Sequence, residues 1–192
     1  MNKKTKIPPT IISIGGLSGA GKSTLARHLV ARLDNTILLE NDSVRREILG
    51  YDDKEVLPQE AYKPYVTRLV NTEVERRTTD AVKQGISVII TATHMDTLCR
   101  QRREAQAKHF NVPFKGIWMD TSLNTLFERV CNREKGNSDA GTHVVARQAE
   151  RKLGPVSWYT LNGDQSLRSN IAKAMNFIAA PDTHTRKYRH AP

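Results

Sequence analysis

The chain has 192 residues, 38% of them hydrophobic, and carries 30 Lys and Arg against 20 Asp and Glu for a formal charge of +10. That length and apolar content suit one domain with a single core, with or without tails. A mean hydropathy of −0.54, with no unbroken apolar run near about 18 residues, excludes a membrane-spanning helix. The two cysteines, Cys99 and Cys131, lie far apart without CxxC or interleaved histidines, so neither a disulfide framework nor a zinc site is expected and a cytoplasmic location is.

Thr10 to Gly15 is a short β-rich run, which Pro8-Pro9 and the following glycines keep from forming an export signal. Lys22 to Leu33 has Leu25, Ala26, Leu29, Val30 and Leu33 at helical spacing, and Thr36 to Glu40 reads as a second strand leading into a short helix from Ser43 to Leu49. After Pro58 and Pro64 a long helix carries Val66, Leu69, Val70, Val74 and Val82 on one face until Gly85 ends it. Ser87 to Thr91 is a buried strand, Thr97 to Phe110 a polar helix, Phe114 to Met119 a fourth strand, and Ser122 to Asn132 a helix. Residues 134 to 142 form a turn-rich loop or lid. A helix at His143 to Lys152, a fifth strand at Trp158 to Leu161 and an amphipathic helix at Gln165 to Ala180 complete the pattern. Five strands alternating with helices specify an α/β fold with a parallel sheet covered on both faces. The domain then spans residues 11–180, between a basic tail at 1–10 and a basic, disordered tail at 181–192.

Positive charge invites nucleic acid, because cations that neutralise phosphates supply most sequence-independent affinity. Half of the excess, however, sits in the two tails.

The segment Gly16-Leu17-Ser18-Gly19-Ala20-Gly21-Lys22-Ser23, followed by Thr24, fits GxxxxGK[ST] at every fixed position and lies between a strand and an amphipathic helix. In that context successive backbone N–H groups cradle phosphates at the positive end of the helix dipole. Lys22 reaches the β and γ phosphates and the Ser23 hydroxyl binds Mg²⁺. A glycine-rich turn that binds nothing is the competing reading, but Lys22 on the first helical turn opposes the dipole unless an anion sits there. No NKxD follows, which favours ATP over GTP, and there is no room for the extra helical domain of a mechanical ATPase. A small phosphotransferase is the class that remains.

Asn41-Asp42-Ser43-Val44-Arg45-Arg46 follows the second strand, at the sheet edge where ligands of α/β folds bind. Asp42 there can accept the proton of an attacking hydroxyl, and Arg45 can hold an anionic acceptor. The alternative is ordinary capping by Asp42 or Ser43, which leaves Arg45 unexplained; Arg46 is expected to face solvent. Arg129 and Arg133, four apart, either clamp the transferred phosphoryl group beneath a lid or belong to a solvated basic face with Glu128 and Glu134. Arg100, Arg102, Arg103 and Lys108 are expected on the solvated side of the polar helix. His94 and Asp96 follow the third strand near the site, with an N-cap role open for Asp96. Trp118 and Trp158 read as core or sheet-edge residues.

GLSGAGKSTLA at 16–26, NDSVRREILG at 41–50, FERVCNR at 127–133, GNSDA at 136–140 and LNGD at 161–164 resemble the P-loop small-molecule kinases, most closely predicted bacterial kinases of the AAA_33 or zeta-toxin-like type. The resemblance spans residues 11 to 180. It implies a sheet order of 2-3-1-4-5, Arg129 and Arg133 as lid arginines, and Asn162 to Asp164 bordering the adenine. Adenylylsulfate kinases are similar in GLSGAGKST and DSVR. Polynucleotide 5′-hydroxyl kinases are similar in Asp42-x-x-Arg45, the strand and helix at 88–103, and Arg129-x-x-x-Arg133. Many members have an acid at the end of the third strand that supports Mg²⁺ through water, where this chain reads Ile90-Thr91-Ala92-Thr93; the Thr91 hydroxyl can take part of that role. The function expected is an ATP- and Mg²⁺-dependent kinase of a small-molecule hydroxyl, with Lys22, Asp42 and Arg129 catalytic and Arg45 placing the acceptor. A polynucleotide 5′-kinase and a non-catalytic ATP-binding regulator are the alternatives.

Overall fold

The computed structural model describes residues 4–52, 55–132 and 141–181. Its elements, in chain order, are β1 (Ile11–Gly15), α1 (Lys22–Val30), β2 (Thr36–Glu40), α2 (Asn41–Leu49), a 3-10 turn (Gln59–Tyr62), α3 (Pro64–Lys83), β3 (Ser87–Thr91), α4 (Thr97–His109), β4 (Phe114–Asp120), α5 (Leu123–Cys131), α6 (Thr142–Ala149), β5 (Tyr159–Asn162) and α7 (Leu167–Ala179). All strand pairs are parallel, in the order β2-β3-β1-β4-β5. Among the described residues no helix is long and apolar enough to cross a membrane.

Side chains alternate across each strand, so one sheet can feed two cores. Ile12, Ile14, Ile89, Ile117 and Leu161 pack with Leu25, Leu29, Leu126, Ala174 and Ile178 of α1, α5 and α7. Ile11, Val88 and Ile90 point the other way, onto Val66, Val70 and Val74 of α3 and Ala107 of α4. Leu69, assigned to the apolar stripe of α3 by its spacing, is 54% exposed; the stripe is narrower than the periodicity suggests because only one row of the helix meets the sheet.

Two boundaries matter for the site. Helix α2 begins at Asn41, with Glu40 at its N-cap, so Asp42 and Ser43 lie inside the first turn and the capping alternative for them does not hold. The segment before β1 is not a free tail throughout: Thr5 bridges Leu33 in parallel, its N–H donating 2.7 Å to the carbonyl of Arg32. Ser122 caps α5 by accepting from the backbone N–H of Thr125, and Ser166 caps α7 by accepting from that of Ser169. Of the expected loop at 134–142, residues 134–140 lie outside the described residues and Thr142 already begins α6; of the tail at 181–192, residues 182–192 lie outside them.

Register aligns the strand ends. Ile14 of β1 and Glu40 of β2 both pair with Thr91 of β3, and Gly15 pairs with Trp118 of β4. The turns after β1, β2 and β3 therefore leave the same edge of the sheet side by side, which places residues 16–23, 41–46 and 92–96 around one crevice.

Candidate active site

The turn after β1 closes on itself through backbone geometry only glycine adopts readily. Gly16 and Gly19 have φ of 139° and 86°. A Cβ on Gly16 would lie 2.7 Å from the carbonyl oxygen of Met119, and one on Gly19 would lie 3.0 Å from that of Leu126. The loop is fixed by Gly16 N–H donating to Thr93 (3.2 Å) and Ala20 N–H donating to Leu17 (3.2 Å). Helix α1 starts from Gly21 with no side-chain cap and no acid in its first turn. Its free N–H groups and dipole thus face the loop unneutralised, as an anion site requires. Lys22 Nζ donates 2.8 Å to the carbonyl of Leu17, folding back over the loop.

A cleft of about 1340 Å³ opens from this loop. Drug-sized ligand sites run to roughly 1,000 Å³, so there is room for a phosphate chain and a second molecule. Its lining includes Ser18, Gly19 and Gly21 to Thr24 of the loop, the turn after β3, Asp42 and Arg45 of α2, Tyr62, Asn71 and Arg103. The structure brings Lys22, Ser23, Thr24, Asp42 and Arg45 to this one cleft. Arg45 Nε lies 3.7 Å from Asp42 Oδ1, and the guanidinium stacks 4.8 Å over the Tyr62 ring. Asn41 Nδ2 donates 3.2 Å to Asn71 Oδ1, tying the start of α2 to α3. Thr91 is buried at the cleft floor.

Arg129 stands elsewhere. It is exposed, its Nη2 donates 2.9 Å to the carbonyl of Gly163, and its Nη1 reaches to 3.8 Å from where a Cβ on Gly21 would be. It flanks the phosphate loop from the β5 side, outside the residues that line the cleft. Asp164 is held below the usual carboxylate range by hydrogen bonding to Thr125 and Ser122, with Arg129 nearby. Arg133 lies outside the described residues.

Three arginines expected in solvent are buried. Arg46 is 3% exposed, its Nε donating 3.3 Å to the carbonyl of Glu55, because the chain after α2 folds back over it. Arg100 donates to the carbonyls of His94, Met95, Leu153 and Pro155 and to Thr97 Oγ1, at 2.7 to 3.1 Å. It staples the turn after β3 to the segment after α6. Arg103, 6% exposed, donates only to Gln106 Oε1 at 3.2 Å. Exposed Arg102 and Lys108 fit the solvated side.

His94, at φ 48°, is 5% exposed and packs edge-on against Trp158 with ring centroids 5.1 Å apart. Burial, with Arg103, Lys22 and Arg100 nearby, pushes its imidazole down to about 3, so it is neutral at physiological pH. Asp96 precedes α4 but makes no side-chain cap bond. Trp118 and Trp158 are buried, as their strand positions suggest; Trp158 lies over Gly116, just before β5 begins.

Helix α6 supplies side chains the sequence reading passed over. Gln148 Oε1 accepts from the Ser18 N–H at 2.8 Å, occupying an amide of the phosphate loop, and Arg147 and Arg151 line the same cleft. Arg147 and Arg151 are four apart, the like-charge spacing that singled out Arg129 and Arg133.

The AAA_33 profile, an AAA domain, matches residues 11–154. No protein of curated function matches the sequence. The fold is similar to that of the Mycobacterium tuberculosis APS kinase in complex with AMPPNP and APS, at 18% identity and a TM-score of 0.64, covering 90% of this chain and 99% of that one. It is similar to a gluconokinase from Sinorhizobium meliloti 1021, at 17% identity, a TM-score of 0.64 and coverage of 97% and 100%. It also resembles a chain of the Pnkp1/Rnl/Hen1 RNA repair complex, at 18% identity and a TM-score of 0.61, covering 93% of this chain and 50% of that one.

Proposed function

The chain belongs to the AAA_33 family, and on that premise we propose that it is an ATP- and Mg²⁺-dependent kinase that transfers the γ-phosphoryl group to a hydroxyl of a small molecule. The observation that carries this is the meeting of phosphate loop and carboxylate in one cleft: Lys22, Ser23 and Asp42 line it together. The loop amides and Lys22 bind the phosphate chain, with Lys22 releasing the Leu17 carbonyl to meet the β and γ oxygens. Asp42 accepts the proton of the attacking hydroxyl, and Arg45, ion-paired with it, positions the acceptor. Arg129, against the carbonyl of Gly163, supports the nucleotide on the β5 side, where Asn162 to Asp164 border the adenine. Among the described residues no cluster of three or more His, Cys, Asp or Glu could hold a metal, which suits a cation bound mostly by phosphates and water. Ser23 would be the protein hydroxyl for Mg²⁺, with the buried Thr91 hydroxyl available to a metal-bound water, and the ion would supply charge neutralisation for the transferring group.

Lys22→Ala and Asp42→Asn separate the roles. The first is expected to lose nucleotide binding and the second to lose turnover while still binding ATP, measured by calorimetry and by transfer of labelled γ-phosphate across sugar, metabolite, antibiotic and oligonucleotide acceptors. Unchanged turnover in Asp42→Asn would falsify the base assignment. A polynucleotide acceptor is the second reading, favoured by Arg102, Arg147 and Arg151 along the cleft. It requires steeply salt-dependent oligonucleotide binding by the chain.

A further inference from the structure

Arg100 and Arg103 sit one turn apart on α4 and are equally buried, at 3% and 6% exposed, yet they are satisfied very differently. A guanidinium carries five N–H donors and costs several kcal/mol to desolvate unless acceptors replace water. Arg100 has five acceptors. Among the described residues Arg103 has one, a neutral amide oxygen, and no carboxylate within ion-pair distance. Burial accordingly pushes the Arg103 guanidinium down, only partly offset by the more distant Glu75. Arg103 is one of the residues lining the cleft.

Arg45, on α2, repeats the pattern in the same cleft. It is 6% exposed, its Nε is buried without a hydrogen-bond partner, and its Nη1 makes only a 3.4 Å contact to the carbonyl of Ala61. Asp42 lies 3.7 Å from Nε, beyond hydrogen-bond length. His94 Nε2 is likewise buried with no hydrogen-bond partner among the described residues. All three side chains line the cleft. Buried polar groups are ordinarily paired, and two buried cations with so few acceptors among the described residues lining one cleft, Arg45 with Asp42 beyond hydrogen-bond length and Arg103 with one amide oxygen, describe a site prepared for an anion.

We propose that Arg45 and Arg103 form an oxyanion subsite in the acceptor half of the cleft, with His94 at its edge, and that the acceptor is a small hydroxyl compound bearing a carboxylate, phosphate or sulfate. The substrate class rests on the kinase reading above; the anion subsite stands on the burial and pairing of these side chains alone. Planar guanidinium forks bind such groups through paired N–H···O contacts, holding the compound by its anion so that its hydroxyl can be turned toward Asp42.

The test is titration of inorganic sulfate into the full chain saturated with AMPPNP and Mg²⁺, so that the phosphate loop is filled, with ionic strength held constant with chloride and read by calorimetry. One saturable sulfate per chain is expected. Arg103→Gln and Arg45→Gln should each weaken it roughly ten- to hundredfold, the cost of one charge-assisted contact. Arg103→Lys should fall between, and Lys108→Gln, exposed on the same helix and outside the cleft lining, should match wild type. Absence of saturable sulfate, equal binding in Arg103→Gln, or an equal loss in Lys108→Gln would overturn the subsite. If Arg103→Gln does not fold by circular dichroism, Arg103→Lys and Arg45→Gln decide. Failure of AMPPNP to bind would sink the kinase reading instead, and the Arg103 dependence measured on the nucleotide-free chain still decides the subsite.

Discussion

His94 couples the chemistry of the cleft to the stability of the fold. Its side chain is enclosed by Trp158 on one side and by the cations Arg103, Lys22 and Arg100 on others, and it stays neutral down to about pH 3 rather than the ordinary 6.5. The unfolded chain takes a proton at this residue as pH falls through 6.5, while the folded chain does not until pH approaches 3. Stability is therefore lost as pH falls across that window, with a slope approaching about 1.4 kcal/mol per pH unit, and the loss levels off below it. Between pH 8 and pH 5 this one group is worth about 2 kcal/mol, a sizeable part of the roughly 5–15 kcal/mol of a typical domain. The carboxylates held low, Glu73 at about 2 and Asp164, act at lower pH and do not confuse the comparison. The variant to make is His94→Asn, because asparagine tolerates the left-handed backbone at φ 48°. Urea midpoints at pH 8, 7, 6 and 5 should fall faster for wild type than for His94→Asn, the difference shrinking by about 2 kcal/mol over the range whatever packing the variant loses. Parallel curves would refute the reasoning. Bound phosphates, by offsetting Lys22 and Arg103, should raise the His94 value and flatten the wild-type curve.

Arg100→Ala leaves four carbonyls and a hydroxyl without their donor, and should cost about 3–5 kcal/mol, read as a lower urea midpoint at unchanged slope; a loss under about 1 kcal/mol would show that water replaces the guanidinium freely. Gln148→Leu removes the side chain that competes for the Ser18 amide, so AMPPNP should bind about two- to tenfold tighter by calorimetry. Weaker binding would show that Gln148 turns onto the nucleotide instead.

Much of this protein was legible along the chain because its signals are local. A glycine pattern between an apolar run and a helical period defines the phosphate loop, since its conformation depends on φ values within eight consecutive residues. The alternation of strands and helices limits the topology, and the family resemblance supplied the strand order that the sheet shows. Asp42 and Arg45 could be named because they follow a strand end directly. Burial of the arginines was not legible: Arg100, Arg102 and Arg103 are neighbours of identical chemistry, and which two turn inward depends on how α4 lies against the turn after β3, α3 and the segment after α6. The like-charge spacing that singled out Arg129 and Arg133 is equally present in Arg147 and Arg151, and only the tertiary fold shows that the latter pair lines the cleft. Local sequence was enough to fix the phosphate-loop motif and its place between β1 and α1. Which cations are buried along the cleft was decided by packing between elements distant in the chain, because desolvation is a property of a place in the fold.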